Sequence, residues 1–263
     1  MQENKKAVLV VSFGTSYQDT REKSIGAIEK EIAGAFEGCG FFRAYTSQMV
    51  INKLKSRDGL EVDNVTQAAE KIVKAGYSLL TVQPTHVMNG IEYDKMRAAL
   101  KPYEGAFVRI SYGKPLLTST EDFRKAAKSL MEEIPEQRDG NTAVVFMGHG
   151  TGHFANAAYC ELEYMFRSLG YQNVFVGTVE SFPGLSDVMS QVNNYGARKV
   201  VLYPFMVAAG DHARNDMAGE EEDSWKNQLI KAGYEVDCVI KGLGEYKAVR
   251  DLFVVHAKAA EQE

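Results

Sequence analysis

The feature that most constrains this chain is an internal repeat. Ala7-Val-Leu-Val-Val-Ser-Phe-Gly-Thr15 lies on Ala143-Val-Val-Phe-Met-Gly-His-Gly-Thr151, so Gly14 falls on Gly150 and Phe13 on His149. Pro84-Thr-His-Val-Met-Asn-Gly90 lies on Pro204-Phe-Met-Val-Ala-Ala-Gly210, and Glu92 and His212 follow two residues after each closing glycine. Both stretches then run to a methionine, Met96 and Met217, and between them Tyr45-Thr46-Ser47 matches Val179-Glu180-Ser181. Identity is weak, and loops of α/β proteins resemble one another by chance, but spacing and order agree three times. The repeat predicts two similar α/β domains facing each other across a cleft. Ala143–Met147 is uncharged and of strand length, as suits the middle of a parallel sheet. Ligands of open α/β sheets bind just past the carboxyl ends of strands, where His149 stands between Gly148 and Gly150. The two glycines are expected to give a ligand room to approach. The plain alternative is a turn histidine bonded to a neighbouring carbonyl.

Alternation of apolar runs with helix-spaced segments extends along the whole chain. Strands are expected at Ala7–Val11, Phe41–Tyr45, Leu79–Gln83 and Ala106–Ile110, then at Ala143–Met147, Val174–Val179, Val200–Tyr203 and Glu235–Val239. Helices are expected from about Thr20 to Phe36, Met49 to Leu54, Asn64 to Ala75, Ile91 to Leu100, Thr120 to Glu133, Ala155 to Leu169, Leu185 to Tyr195 and Tyr246 to Ala260. Asp211–Ala232 reads as one long helix or two, and Glu136–Asn141 as a polar turn. This rhythm means βαβ units and parallel sheets. The domain boundary is set at 115/116, giving domains over 1–115 and 116–263.

With 263 residues, the chain is long enough for one large or two modest domains. Its net charge of −5 argues against nucleic acid, which demands a basic surface. Cys39, Cys160 and Cys238 are scattered and form no CxxC pair, so reduced thiols in a cytoplasm are expected rather than zinc or iron–sulfur ligation. The start lacks the long apolar region and cleavage site of a signal peptide, and no apolar run is long enough to span a bilayer.

His149, Glu180, Glu92 and His212 all fall on loops at expected strand ends. Imidazole with carboxylate suits a divalent first-row metal such as cobalt, nickel, iron or zinc. The ligands are spread, 31 residues from His149 to Glu180 and 32 from Glu180 to His212, and carry no thiolate, which fits an ion in transit. Asp211 is the candidate to orient the His212 ring. Taken singly, Glu180 is equally a cap for the following helix, and Glu92 a carboxylate favouring the positive end of its own. His86 and His153 are candidate cleft-lining residues, and His256 reads as structural or exposed. Backbone N–H groups of Ser12, Phe13, Gly14, Thr15 and Ser16 are candidates for substrate carboxylates. Lys53, Lys55 and Arg57 read as solvated charge or as rim partners. Met217 and Trp225 read as core or as a surface for a flat ligand. Glu220–Asp223 reads as a solvated helix face or a cation lure. A phosphoryl-transfer site is disfavoured, since neither GxxxxGK[ST] nor Arg-His-Gly occurs.

The chain resembles the anaerobic, early-insertion sirohydrochlorin cobaltochelatases of cobalamin biosynthesis. The matching stretches are Leu9–Tyr17 (LVVSFGTSY), Phe42–Ser47 (FRAYTS), Asn89–Met96 (NGIEYDKM), Val144–Gly150 (VVFMGHG), Val179–Pro183 (VESFP) and Ala209–Ala218 (AGDHARNDMA). Asp223–Lys226 and Gly242–Glu245 match as well. The resemblance implies a chelatase-like fold, two Rossmann-like α/β domains with parallel sheets related by a pseudo-twofold repeat, ending in a C-terminal helix. It implies ATP-independent insertion of Co2+ into sirohydrochlorin or precorrin-2, with no organic cofactor. Implied metal ligands are His149, Glu180 and His212, most of the set lying in the C-terminal domain. Glu92 takes the place of the family's cleft glutamate, and His149 that of its proton acceptor. Competing readings are an iron or nickel chelatase acting on the same tetrapyrrole, and a non-catalytic haem- or metal-binding protein. Neither nucleic acid nor membrane is expected as a partner, and self-association into a homo-oligomer stays open.

Overall fold

A computed structural model describes residues 4–135 and 140–262. The turn expected at Glu136–Asn141 therefore lies largely outside the described residues. The first half runs β1 (Lys6–Ser12), α1 (Gln18–Thr20), a π turn (Arg21–Ile25), α2 (Gly26–Ala35), β2 (Gly40–Tyr45), α3 (Gln48–Asp58), α4 (Val65–Lys74), β3 (Leu79–Pro84), α5 (Ile91–Leu100) and β4 (Arg109–Tyr112). The second runs α6 (Thr120–Glu133), β5 (Thr142–Gly148), α7 (Ala157–Ser168), β6 (Val174–Thr178), α8 (Leu185–Tyr195), β7 (Lys199–Pro204), a π turn (Ala213–Met217), α9 (Trp225–Lys231), β8 (Glu235–Cys238) and α10 (Lys247–Gln262).

Each half builds one four-stranded parallel sheet, in the orders β2-β1-β3-β4 and β6-β5-β7-β8. The central strands β1 and β5 are apolar because helices cover both faces: Val8–Val11 and Ala143–Met147 are buried throughout. Local signals set the helix ends. Ser47 accepts from the Val50 N–H at 3.3 Å to start α3, and Gly59 closes it at φ 65°. Reciprocal bonds between Asn64 and Gln67, and between Ser119 and Asp122, start α4 and α6.

The repeat holds at the level of single hydrogen bonds. Thr85 N–H donates to Val11 O and Phe205 N–H to Met147 O, at 2.8 and 2.7 Å. Leu116 N–H donates to His86 O as Leu243 N–H does to Met206 O, at 3.0 and 2.8 Å. One piece of the sequence alignment shifts. Thr46 and Ser47 donate to Ser12 and Phe13, while Val179 and Glu180 donate to Gly148 and His149, so Ser47, not Thr46, is the counterpart of Glu180.

The compact units are 1–118 with 249–263, and 119–248. The last helix thus belongs to the first unit, which corrects its assignment to the C-terminal domain. Its apolar stripe Val249, Leu252, Phe253, Ala257 and Ala260 is buried, and Glu261 pairs with Lys6 at 3.2 Å. A linear boundary cannot express a chain that returns to its first unit. Two further expectations change. The fourth strand begins at Arg109, because a 3-10 turn over Lys101–Ala106 prolongs α5. Asp211–Ala232 is neither one helix nor two full ones. Gly219 packs where a Cβ would lie 2.3 Å from the Asn215 carbonyl, and Ser224 starts the short α9 by accepting from Asn227 N–H. Glu220–Asp223 is consequently an exposed turn, not a helix face. No helix among the described residues is long and apolar enough to cross a membrane.

Candidate metal centre

In the second unit, β5 delivers His149, the loop after β6 delivers Glu180, and the segment entering the second π turn delivers His212. One ligand atom from each of the three lies within 4.8 Å of the other two. The imidazole rings of His149 and His212 meet edge to face, centroids 4.5 Å apart at 81°. Glu180 Oε2 is 3.5 Å from His149 Nδ1, and the Glu180 N–H donates to the His149 carbonyl at 2.9 Å. This backbone bond is why a strand-end histidine and a residue 31 positions later share one place: it is the ladder between β5 and β6 continued past the strand ends. All three groups are solvent-accessible, with Glu180 the most exposed.

His212 Nδ1 and Asp216 Oδ2 are 2.9 Å apart. The carboxylate accepts a hydrogen bond from Nδ1–H, which leaves the Nε2 lone pair for an ion and fixes the ring. Asp216 replaces Asp211, the partner expected from sequence. Residues four apart on a helical turn share a face, whereas adjacent ones diverge, and that spacing was the available signal. His149 Nδ1 lies 2.9 Å from its neighbour's carbonyl, Gly150 O, so the plain turn bond and membership of the triad coexist.

The glycines around His149 are also demanded by packing, a role the sequence did not show. A Cβ on Gly148 would fall 2.2 Å from the Tyr159 ring, and one on Gly150, at φ 86°, would fall 2.9 Å from Ser181 N. Tyr159 is buried beneath the loop, and burial pushes its phenol up to about 12 despite backbone bonds from Gly150 and His149. Asn156, which the sequence did not single out, ties two loops of the site together. Its side chain accepts from Thr151 N–H at 3.1 Å and donates to Phe182 O at 2.6 Å. Glu180 does not cap α8, whose first turn is closed by Asp187 accepting from Gly184 N–H at 2.8 Å.

The remaining expected residues are not members of the three-residue cluster. His153 Nδ1 accepts from Ala155 N–H at 3.1 Å and starts a 3-10 turn. Met217 and Trp225 are in the core of the second unit, and His256 is buried with Nδ1 3.0 Å from Lys114 O. In the first unit, Ser12 and Thr15 are buried, and Thr85 Oγ1 donates to Ser12 Oγ at 2.8 Å, so in this loop Phe13, at 43%, is the exposed side chain. Arg57 clasps Asp58 and the Ser16 carbonyl, and Lys55 pairs with exposed Glu61. Glu92 stands in the first turn of α5, its Oε1 2.6 Å from Lys95 Nζ. Burial raises the Glu92 carboxyl, but Lys95, the Thr46 hydroxyl and His86 outweigh it and hold the group below the usual range. His86, expected to line the cleft, is buried at 8% exposure, and desolvation drives its imidazole down to about 4 against the pull of Glu92.

Comparison with known proteins places this architecture. Residues 6–262 match the family model described as Cobalt chelatase (CbiK). The chain is 41% identical over 256 residues to the sirohydrochlorin cobaltochelatase of Salmonella typhimurium, covering 97% of this chain and 96% of the relative. It is 30% identical over 258 residues to the sirohydrochlorin cobaltochelatase CbiKC of Nitratidesulfovibrio vulgaris, covering 97% and 90%. Among solved structures, SirB from Bacillus subtilis with Fe3+ superposes at TM-score 0.66 with 16% identity, over 98% of this chain and 96% of that one. DR2241 from Deinococcus radiodurans, a multi-domain protein described as similar to chelatases, superposes at 0.63 with 17% identity, over 99% and 56%. At those identities the structural likeness speaks for the fold alone. A family match over nearly the whole length, with relatives aligned end to end, establishes that this chain belongs to the cobalt chelatase (CbiK) family.

Proposed function

We propose that this chain inserts Co2+ into the tetrapyrrole sirohydrochlorin, without ATP, in cobalamin biosynthesis. The observation that carries the reading is the triad: two imidazoles and a carboxylate, accessible and free of thiolate, gathered within 4.8 Å. The curated relatives that cover nearly the whole chain are named sirohydrochlorin cobaltochelatases. Such a donor set binds a first-row dication through borderline nitrogen and hard oxygen, and its exposure lets the ion leave.

Metallation exchanges two pyrrole N–H protons for one dication. His149, Glu180 and His212 hold the ion at the outset, His212 through Nε2. As each protein–metal bond gives way to a bond from a ring nitrogen, the imidazole of His149 regains a lone pair. That lone pair takes one pyrrole proton, so release of the metal and capture of the proton are coupled at one group. Glu92, kept ionised by its surroundings, takes the other. Phe13, Gly14 and the accessible edge of His153 contact the substrate, with the buried Ser12 and Thr15 shaping the loop beneath.

The test is an absorbance assay of purified protein with sirohydrochlorin and Co2+, Fe2+ or Ni2+, without nucleotide. Expected is turnover with the highest kcat/KM for Co2+. Higher kcat/KM for Fe2+ or Ni2+ would reassign the metal, and tight haem binding without metallation would replace the enzyme with a carrier.

A further inference from the structure

The first unit holds a buried polar cluster that the triad does not use. Thr46 follows β2, His86 follows β3, and Glu92 opens α5, so all three stand at the carboxyl edge of the same sheet. Glu92 Oε2 and both ring nitrogens of His86 are buried and make no hydrogen bond, and the Thr46 hydroxyl lies close enough to Glu92 to lower its carboxyl. A buried imidazole with two unsatisfied nitrogens is costly, and natural proteins rarely keep one without use. The field of Glu92 reaches His86, and that of His86 and Lys95 reaches Glu92. By the repeat, the position of His86 is Met206 in the second unit, where the three-residue ligand set makes no such demand.

We infer that His86 is the positioning residue for Glu92, the buried neighbour that serves its carboxyl in both protonation states during metallation. The inference rests on the role proposed for Glu92. A carboxylate wants a donor beside it, and a carboxylic acid wants an acceptor. A neutral imidazole is both, one nitrogen carrying hydrogen and the other a lone pair. Burial keeps His86 neutral, so it does not compete for the proton. When Glu92 takes a pyrrole proton, the N–H bond breaks, an O–H bond forms, and the new acid donates to the bare nitrogen of His86. After product leaves, the proton passes from Glu92 to water, and the imidazole is left to offer its N–H to the re-formed carboxylate. The Thr46 hydroxyl, with the same double character, completes the cluster.

The first arm needs no substrate. Infrared difference titration of the Glu92 carboxyl, assigned by its loss in Glu92→Gln, is compared between the wild type and His86→Leu. Loss of the donor is expected to move Glu92 protonation to higher pH, and His86→Gln, which keeps a donor and an acceptor, to return it toward the wild type. The second arm is turnover with sirohydrochlorin. Expected for His86→Leu is a kcat reduced by about 10-fold or more with KM for the tetrapyrrole unchanged. In a Glu92→Gln background the same substitution is expected to cost nothing further. Co2+ binding measured alone should be untouched, since its ligands lie in the other unit. An unmoved carboxyl titration, an equal kcat loss in both backgrounds, or an effect confined to KM would each overturn the inference. Failure of the wild type to metallate would instead remove the proposed function, while the infrared arm still decides the coupling.

Discussion

The first unit contains two buried titratable groups whose effects on stability oppose one another. Glu29 is 3% exposed and pairs with Arg43 at 2.5 Å, yet burial outweighs Arg43 and raises its carboxyl from 4.5 to about 7. His86 is lowered from 6.5 to about 4. Between 4.5 and 7 the folded state keeps the Glu29 proton that the unfolded chain gives up, so stability falls as pH rises. Between 4 and 6.5 the unfolded chain takes a proton that folded His86 refuses, so stability falls as pH drops. Each displacement amounts to about 3 kcal/mol across its window. The windows overlap and the signs are opposite, so in the wild type the two nearly cancel. Glu29→Gln is expected to unmask a stability that climbs with pH from about 4 to 6.5, and His86→Leu one that declines from about 4.5 to 7. The single tryptophan, Trp225, reports on the second unit, so the assay is amide hydrogen exchange of Val8–Val11 in the buried strand β1, with urea to promote global opening. A variant profile parallel to that of the wild type, for either substitution, would refute the assignment of these charge states.

Further expectations concern the metal centre. His149→Ala and His212→Ala should abolish metallation and weaken Co2+ binding, measured by calorimetry, with the melting temperature retained. Asp216→Ala should reduce Co2+ affinity about 10- to 100-fold by freeing the His212 ring, without removing a ligand. Glu92→Ala should slow metallation and leave Co2+ affinity intact, and a loss of binding equal to that of His212→Ala would make Glu92 a primary ligand. Gly148→Ala should lower unfolding free energy by about 1–3 kcal/mol in denaturant titration, because its methyl meets the Tyr159 ring.

Much of this architecture was legible before any coordinates. The uncharged runs Val8–Val11 and Ala143–Met147 read as buried strands and are central strands of their parallel sheets, covered on both faces. The repeat matched the element order of the two halves, strand-end position put His149, Glu180, Glu92 and His212 on loops at the open carboxyl edge of parallel sheets, and the family resemblance marked His149, Glu180 and His212 as the metal ligands. Other features depend on contacts that no local pattern encodes. The return of α10 to the first unit is set by which apolar face its stripe meets, and a stripe looks the same against either partner. Asp216 rather than Asp211 serves His212 because a π turn sets the side-chain directions there. Gly148 and Gly150 are demanded by Tyr159 and Ser181, from later in the chain. Periodicity and residue chemistry thus determined the elements and the kinds of donor. The tertiary structure alone decided which donors gather in one place, which are sealed away with unsatisfied atoms, and that Asp216 meets the His212 ring, because desolvation and pairing arise only when distant segments close over the same atoms.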